Sequence, residues 1–465
     1  MTVINNSEPT AFGKPMLKHW LFDPSYTNLN HGSYGANPIV VREKQRALHD
    51  LIDKRPDPYI RIDQKKLLAQ AREEVAAIIH APKDEVVFVR NATSGVYTVL
   101  YNLNFQKDEA IIYFQTVYGA VEYGFVSLQE HSPLQTRKVP YEFPIAEDEL
   151  ERRFRDVLSK ARADGLNVRA AVFDAIVSNP GVRFPFERFV KICREESILS
   201  VIDGAHGIGI IPLNMEELQP DFFVSNCHKW LYTPRGSAVL YVPKRNQHFI
   251  RTTLPTSWGF IPGPKTPEDI SSSIRSMSLE DQSARFQQLF VETATDDDST
   301  YVCVPTALKF RREVCGGEEA IMSYNQTLAN EAGDLIAAAL GTDVLQEPDL
   351  KPGEKSNMRQ CCMTTIRLPI GVAGADLVGA WGTLSSEEMD LAVVHLQQSL
   401  VAKYDTFLPI FRHGPWLWTR ISAQVYLEKS DFEWAAGVLR ELCEKVARKD
   451  FSEDFTEKKP QNAAK

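Results

Sequence analysis

Two residues near the middle of the chain carry the chemistry that most constrains it. Lys229 lies in Ser225-Asn226-Cys227-His228-Lys229-Trp230-Leu231-Tyr232-Thr233-Pro234-Arg235-Gly236, just after the strand-like run 221–224. Asp203 heads Asp203-Gly204-Ala205-His206-Gly207, just after the apolar run 198–202. Each therefore stands at the end of an expected strand. A lysine amine condenses with an aldehyde, and once freed it moves a proton on and off a neighbouring carbon. A carboxylate keeps a ring nitrogen protonated, so that the ring accepts electrons. Taken alone, an Asp and a Lys at strand ends are usually just a cap and a surface charge. Together they suit an aldehyde-bearing aromatic cofactor that acts on an amine.

The elements that must position this pair follow from the hydrophobic pattern. Strand-like runs occupy 85–89, 110–114, 170–173, 199–202, 222–224 and 238–242, with helix-like segments such as 150–163 and 186–195 between several of them. Continuous apolar strands with intervening helices predict an α/β fold built on a mostly parallel sheet covered on both faces. Ligands of such sheets sit beyond the carboxyl ends of the strands. Thr93, Tyr118, Ser178, Asp203 and Lys229 all fall just after such runs. Asn91-Ala92-Thr93-Ser94-Gly95 also opens a helix-like segment, where free backbone N–H groups suit a phosphate.

From about residue 301 helical stretches take over, at 304–314, 318–340, 386–403 and 431–448, with a strand-like run at 362–368. This predicts a smaller α+β domain. The expected organisation is an N-terminal segment, 1–29, packing with the small domain; a large cofactor-binding domain, 30–300; the small domain, 301–452; and a polar, disordered tail, 453–465. Polar or Pro-rich loops are expected at 255–271 and 352–357.

These motifs resemble, in order and over nearly the whole chain, the class V aminotransferase family of fold-type I pyridoxal phosphate (PLP) enzymes. The likeness runs from Asn28-Leu29-Asn30-His31-Gly32-Ser33-Tyr34-Gly35 to Arg420-Ile421-Ser422-Ala423-Gln424-Val425-Tyr426. Within the family the chain is most similar to a fungal branch holding hercynylcysteine sulfoxide lyase and the PLP enzyme of loline alkaloid biosynthesis, with isopenicillin N epimerase more distant. The resemblance implies a seven-stranded sheet sandwiched by helices and a set of roles. Lys229 is the Schiff-base lysine and Asp203 the pyridinium partner. Ala92 and Thr93 form the phosphate cup, joined by Asn226 and His228. Tyr118 stacks on the ring and is a second proton-handling candidate. His206 (often Gln in the family) and Ser178 lie near the ring oxygen. Arg420, whose guanidinium fork suits a carboxylate, holds the substrate carboxyl, and Asn30 and His31 close over the substrate. Thr295 reaches the phosphate of a neighbouring subunit, which implies a homodimer.

Aldehyde-cofactor chemistry is generic, and the pocket selects the reaction. Two departures from the sulfoxide lyase bear on that choice: Lys138 stands where the lyase has a candidate acid cysteine, and His206 where it has Gln. They favour carbon–carbon bond formation of the Mannich type, closing an alkaloid ring in specialised metabolism from an amino acid and an aldehyde or imine co-substrate. Carbon–sulfur lysis and transamination are the alternatives. A non-catalytic scaffold is disfavoured by the retention of both Lys229 and Asp203.

Composition sets the outer bounds. The chain has 465 residues, 43% hydrophobic and 24% charged, with a net charge of −9, which argues against a nucleic-acid surface. No apolar run is long enough to cross a membrane, and no secretory leader is evident. Seven scattered cysteines without CxxC spacing argue against a disulfide framework or a metal site and fit a reducing cytoplasm.

Overall fold

Alternating side chains along each central strand seed a separate core on either face of one sheet. In the computed structural model, which describes residues 8–254, 256–260, 272–293, 295–351, 353–375 and 377–450, seven strands form the large sheet: β1 (Val86–Val89), β2 (Glu109–Phe114), β3 (Gln135–Val139), β4 (Asn167–Asp174), β5 (Leu199–Asp203), β6 (Phe222–Asn226) and β7 (Ala238–Tyr241). Their order is β1-β7-β6-β5-β4-β2-β3. All neighbours are parallel except β7, which runs antiparallel to both β1 and β6. On β2, Ala110, Ile112 and Phe114 enter the core on one face, and Ile111 and Tyr113 the core on the other. Burial on both faces explains why these strands are nearly continuous apolar runs.

The first face is dominated by rings. Phe114 meets Phe154, Phe173, Phe184 and Phe189 at centroid distances of 5.7, 6.3, 5.0 and 4.9 Å. Truncating such a residue to Ala costs about 3–5 kcal/mol. The second face is covered by helices Ala92–Asn102, Gly119–His131 and Leu279–Val291. The fold is the expected seven-stranded, mostly parallel sheet of a fold-type I enzyme. One strand had no apolar signature: β3, Gln-Thr-Arg-Lys-Val, is an edge strand, and its charged side chains suit an exposed edge.

A second sheet of order β10-β11-β8-β9 lies in the C-terminal part: β8 (Met363–Val372), β9 (Gly382–Leu384), β10 (Ile410–His413) and β11 (Trp416–Ser422). Helices Glu318–Leu340, Ser386–Tyr404 and Lys429–Ala447 accompany it. The N-terminal segment is tied to this part by backbone bonds, with Gly13 N–H donating to Val425 (2.8 Å) and Ser422 N–H to Leu29 (2.9 Å), and by the Lys14–Asp431 ion pair. The tail expected at 453–465, most of the loop expected at 255–271 and Pro352 of the loop at 352–357 lie outside the described residues. All seven cysteines are free and buried, and among the described residues no helix is long and apolar enough to cross a membrane.

Candidate active site

Lys229 sits in a four-residue helix, Cys227–Trp230, that begins where β6 ends. The peptide groups around it are held from outside: His31 Nε2 donates to the Lys229 carbonyl (2.6 Å), and Arg311 donates to the Trp230 carbonyl (2.7 Å). Its amine lies 3.0 Å from His206 Nε2 and forms no ion pair among the described residues. Burial, with the charge of Arg420 added, lowers its pKa to about 7 against a weaker upward pull from Asp203. At neutral pH much of the amine is therefore uncharged, the form that attacks an aldehyde.

Asp203 ends β5 and is 3% exposed; its Oδ1 accepts from Ala205 N–H at 3.0 Å. Directly opposite in register, at the end of β4, stands Asp174, 5% exposed. Two adjacent buried carboxylates cannot both ionise. Burial and the Asp203 charge push Asp174 well above the carboxylate range, while the Ala205 N–H and nearby Lys229 partly offset the burial that raises Asp203. Of the pair, Asp174 therefore holds a proton more firmly than Asp203. Asp174 was absent from the expected site, although its signal is the one that exposed Asp203: an aspartate closing an apolar run.

The start of helix Ala92–Asn102, where the phosphate cup is expected, is assembled by two asparagines. Asn91 caps helix Ala92–Asn102 by accepting from Ser94 N–H (2.8 Å). Asn226, at the end of β6, accepts from Ala92 N–H (2.9 Å) and so pins the helix start beside Lys229. With Ala92 N–H engaged, Thr93 remains as the donor of the first turn. His228 donates from Nδ1 to the Ser237 carbonyl (2.8 Å) and is lowered by burial to about 4. Tyr118 precedes helix Gly119–His131 and is 51% exposed.

Arg420, on β11, is 1% exposed, and burial lowers it to about 10. Its fork meets only neutral groups among the described residues: the Ser178 carbonyl (2.6 Å), the Ser178 and Asn179 side chains, Asn30 Oδ1 (2.9 Å) and Ser33 Oγ (2.9 Å). A buried guanidinium without a counter-ion is costly unless an anion arrives. Gly181 makes room for it, since a Cβ there would lie 2.5 Å from Arg420 Cδ. Ser33, for which no role was expected, joins the expected Asn30 at this fork.

Three expectations need revision or relocation. His31 has both ring nitrogens engaged, by the Tyr426 hydroxyl (3.0 Å) and the Lys229 carbonyl, so it anchors the lysine turn rather than meeting a substrate. Lys138 lies on edge strand β3, four strand spacings from β6 and so roughly 19 Å away. It is paired with Glu122 at 2.5 Å, so within its own chain its difference from the lyase's cysteine does not bear on this pocket. Thr295 is exposed in its own chain and lines a cavity of about 700 Å³ with Arg90, Ser94 and Asp296, which Lys229 does not line.

The arrangement fits pyridoxal phosphate: a buried free amine, a carboxylate whose neighbour holds a proton more firmly, a capped helix start and a half-exposed tyrosine converge at the strands' carboxyl ends. Fold and site together define a PLP-dependent enzyme of fold type I. Residues 59–259 match Aminotransferase class-V. The chain is 43% identical to L-cysteine desulfhydrase-like protein lolT1 of Epichloe uncinata, over 97% of this chain and 100% of the relative. It is 30% identical to hercynylcysteine sulfoxide lyase of Schizosaccharomyces pombe, over 94% and 99%. It is 26% identical to isopenicillin N epimerase of Streptomyces clavuligerus, over 78% and 86%. A solved cystine C–S lyase, in complex with cysteine persulfide, shares the fold at a TM-score of 0.67 and 16% identity, covering 92% and 99%. The chain belongs to the class V aminotransferase family.

Proposed function

We propose that the enzyme acts on a free α-amino acid and turns its α-carbon into a nucleophile that forms a carbon–carbon bond with an aldehyde or imine co-substrate, a Mannich-type cyclisation of specialised alkaloid metabolism. The observation that carries the amino-acid part is the pairing of Lys229, a buried amine, with Arg420, a buried fork; among the described residues the first has no ion pair and the second meets only neutral groups. Bound there, pyridoxal phosphate supplies an aldehyde and an electron-accepting ring. Asp203 holds the charge that keeps the ring nitrogen protonated. Arg420 takes the substrate carboxylate as Asn30 and Ser33 give way. Lys229 would remove the α-proton, and that proton would pass to the oxygen or nitrogen of the co-substrate as the new carbon–carbon bond forms. Tyr118 covers the ring face. Thr295, exposed in its own chain, is assigned to the phosphate of a second subunit, so the working unit is a homodimer.

Carbon–sulfur lysis is the second reading. It is favoured by the names of the relatives at 43% and 30% identity and by the loss of the Lys138 argument, which leaves His206 as the remaining departure. One experiment separates them. The purified enzyme is given L-amino acids in D2O, with and without aldehydes, and separately L-cysteine and cysteine-conjugate sulfoxides. Deuterium entry at the α-carbon, followed by a condensed product when an aldehyde is added, supports bond formation. Rapid release of pyruvate from a cysteine substrate refutes it in favour of the lyase. Accumulation of the pyridoxamine form would instead mark a transaminase.

A further inference from the structure

We propose that Trp230 is a positioning residue for Lys229: its indole N–H fixes His206 in the one tautomer that donates to the lysine amine. The role of the lysine rests on the reading above; the tautomer does not. Trp230 is 1% exposed, and its Nε1 donates to His206 Nδ1 at 3.1 Å. An indole nitrogen is a donor only, so Nδ1 must present its lone pair. An Nδ1–H tautomer, or an imidazolium, would set one N–H against another. His206 is also 1% exposed, and burial, with the Arg420 charge added, disfavours a positive charge on it. The ring is therefore neutral, with its proton on Nε2. That N–H faces Lys229 Nζ at 3.0 Å. An ammonium has three donors and no lone pair, so it cannot accept this bond. The contact is satisfied only by the uncharged, nucleophilic amine. A group set in the chain beside the lysine thus selects the reactive form of that lysine through a histidine 24 positions upstream of itself. The Arg311 bond to the Trp230 carbonyl and the His31 bond to the Lys229 carbonyl keep the two side chains in this relation.

The test uses the full-length protein labelled with 15N-histidine, before and after cofactor removal. The expected cofactor-free spectrum shows His206 protonated on Nε2 and bare on Nδ1. An Nδ1–H tautomer or an imidazolium at neutral pH overturns the proposal, and this measurement needs no variant to fold. The second measurement is a cycle of Trp230→Phe and His206→Gln, read as the rate at which the visible band grows on adding pyridoxal phosphate. A glutamine amide donates without tautomeric choice. Trp230→Phe should slow uptake about tenfold with His206 present and less than about twofold in the His206→Gln background. Equal slowing in both backgrounds would show that Trp230 only packs, and would overturn the proposal. A wild-type protein that takes up no pyridoxal phosphate would sink the functional reading while leaving the tautomer result intact.

Discussion

Two lysines at comparable places in the same sheet behave in opposite ways. Lys229 follows β6, near the centre of the sheet; Lys138 lies on β3, at its edge. Lys229 is buried beside Arg420 and a histidine N–H, and its pKa falls to about 7. Lys138 is 36% exposed and bonded to Glu122, and that partner raises its pKa. Position in the sheet order decides which lysine can do chemistry. A central strand end is dry and leaves the amine without a counter-ion, whereas an edge gives it water and a carboxylate.

The sharpest break between them is by deletion. Lys229→Ala should abolish the visible band on adding pyridoxal phosphate and lower turnover by at least about a thousandfold, because nucleophile and proton carrier are lost together. Lys138→Ala should leave both within about twofold. Arg420→Lys comes next. A point charge cannot reproduce the fork, so KM for the amino acid should rise about a hundredfold, with the band retained. Gly181→Ala tests the same fork without touching its charge: the added Cβ displaces Arg420, and KM should rise about tenfold. Binding left unchanged in either variant would remove Arg420 from the substrate site.

The pH dependence sharpens the contrast. The folded pKa of Lys229 lies below its unfolded value of 10.5, so the unfolded chain holds a proton there that the folded chain does not. Stability from this group therefore rises with pH between about 7 and 10.5, and is at its lowest below about 7. The rate of cofactor uptake should climb through about pH 7 and then level. A rate still rising to about pH 10 would mean that the amine is solvated and the comparison false.

How much of this was legible depends on which physical signal each residue leaves. Asp203 and Lys229 close continuous apolar runs, and strands buried on both faces announce themselves. The helix expected at 186–195 is the helix Phe186–Glu195, because an apolar face packed on a sheet repeats at helical spacing. β3 was invisible because an edge strand need not be apolar. Strands β9, β10 and β11 were also missed: they are short or broken by charged residues, so Arg420 was found from its motif and not from its strand. The pairing of Asp174 with Asp203 and the contact of Trp230 with His206 depend on register and rotamer, which one-dimensional spacing does not encode. Lys138 was misjudged for the same reason, since matching a residue to a relative's position says nothing of which strand spacing separates it from the pocket.

The smallest expected effect is the most exacting check on that lesson. Hydrogen bonding to Lys138 lowers Glu122, and the same bond raises Lys138. The stabilisation from the pair is therefore present between about pH 4.5 and 10.5; it is lost as pH falls through the carboxylate pKa or rises through the amine pKa. Both groups are 36% exposed, so solvent screening holds the pair to about 1 kcal/mol or less. In a chain of this size that is a fall in Tm of about two degrees at most. Glu122→Gln should give the same fall as Lys138→Ala, and the double variant no more than either, because each single change already removes the bond. If Lys138→Ala instead cost turnover with Tm unmoved, the edge of the sheet would have to reach a reacting atom. Within one chain four strand spacings forbid that, so the explanation would lie in a second subunit bringing its β3 to the first subunit's cleft.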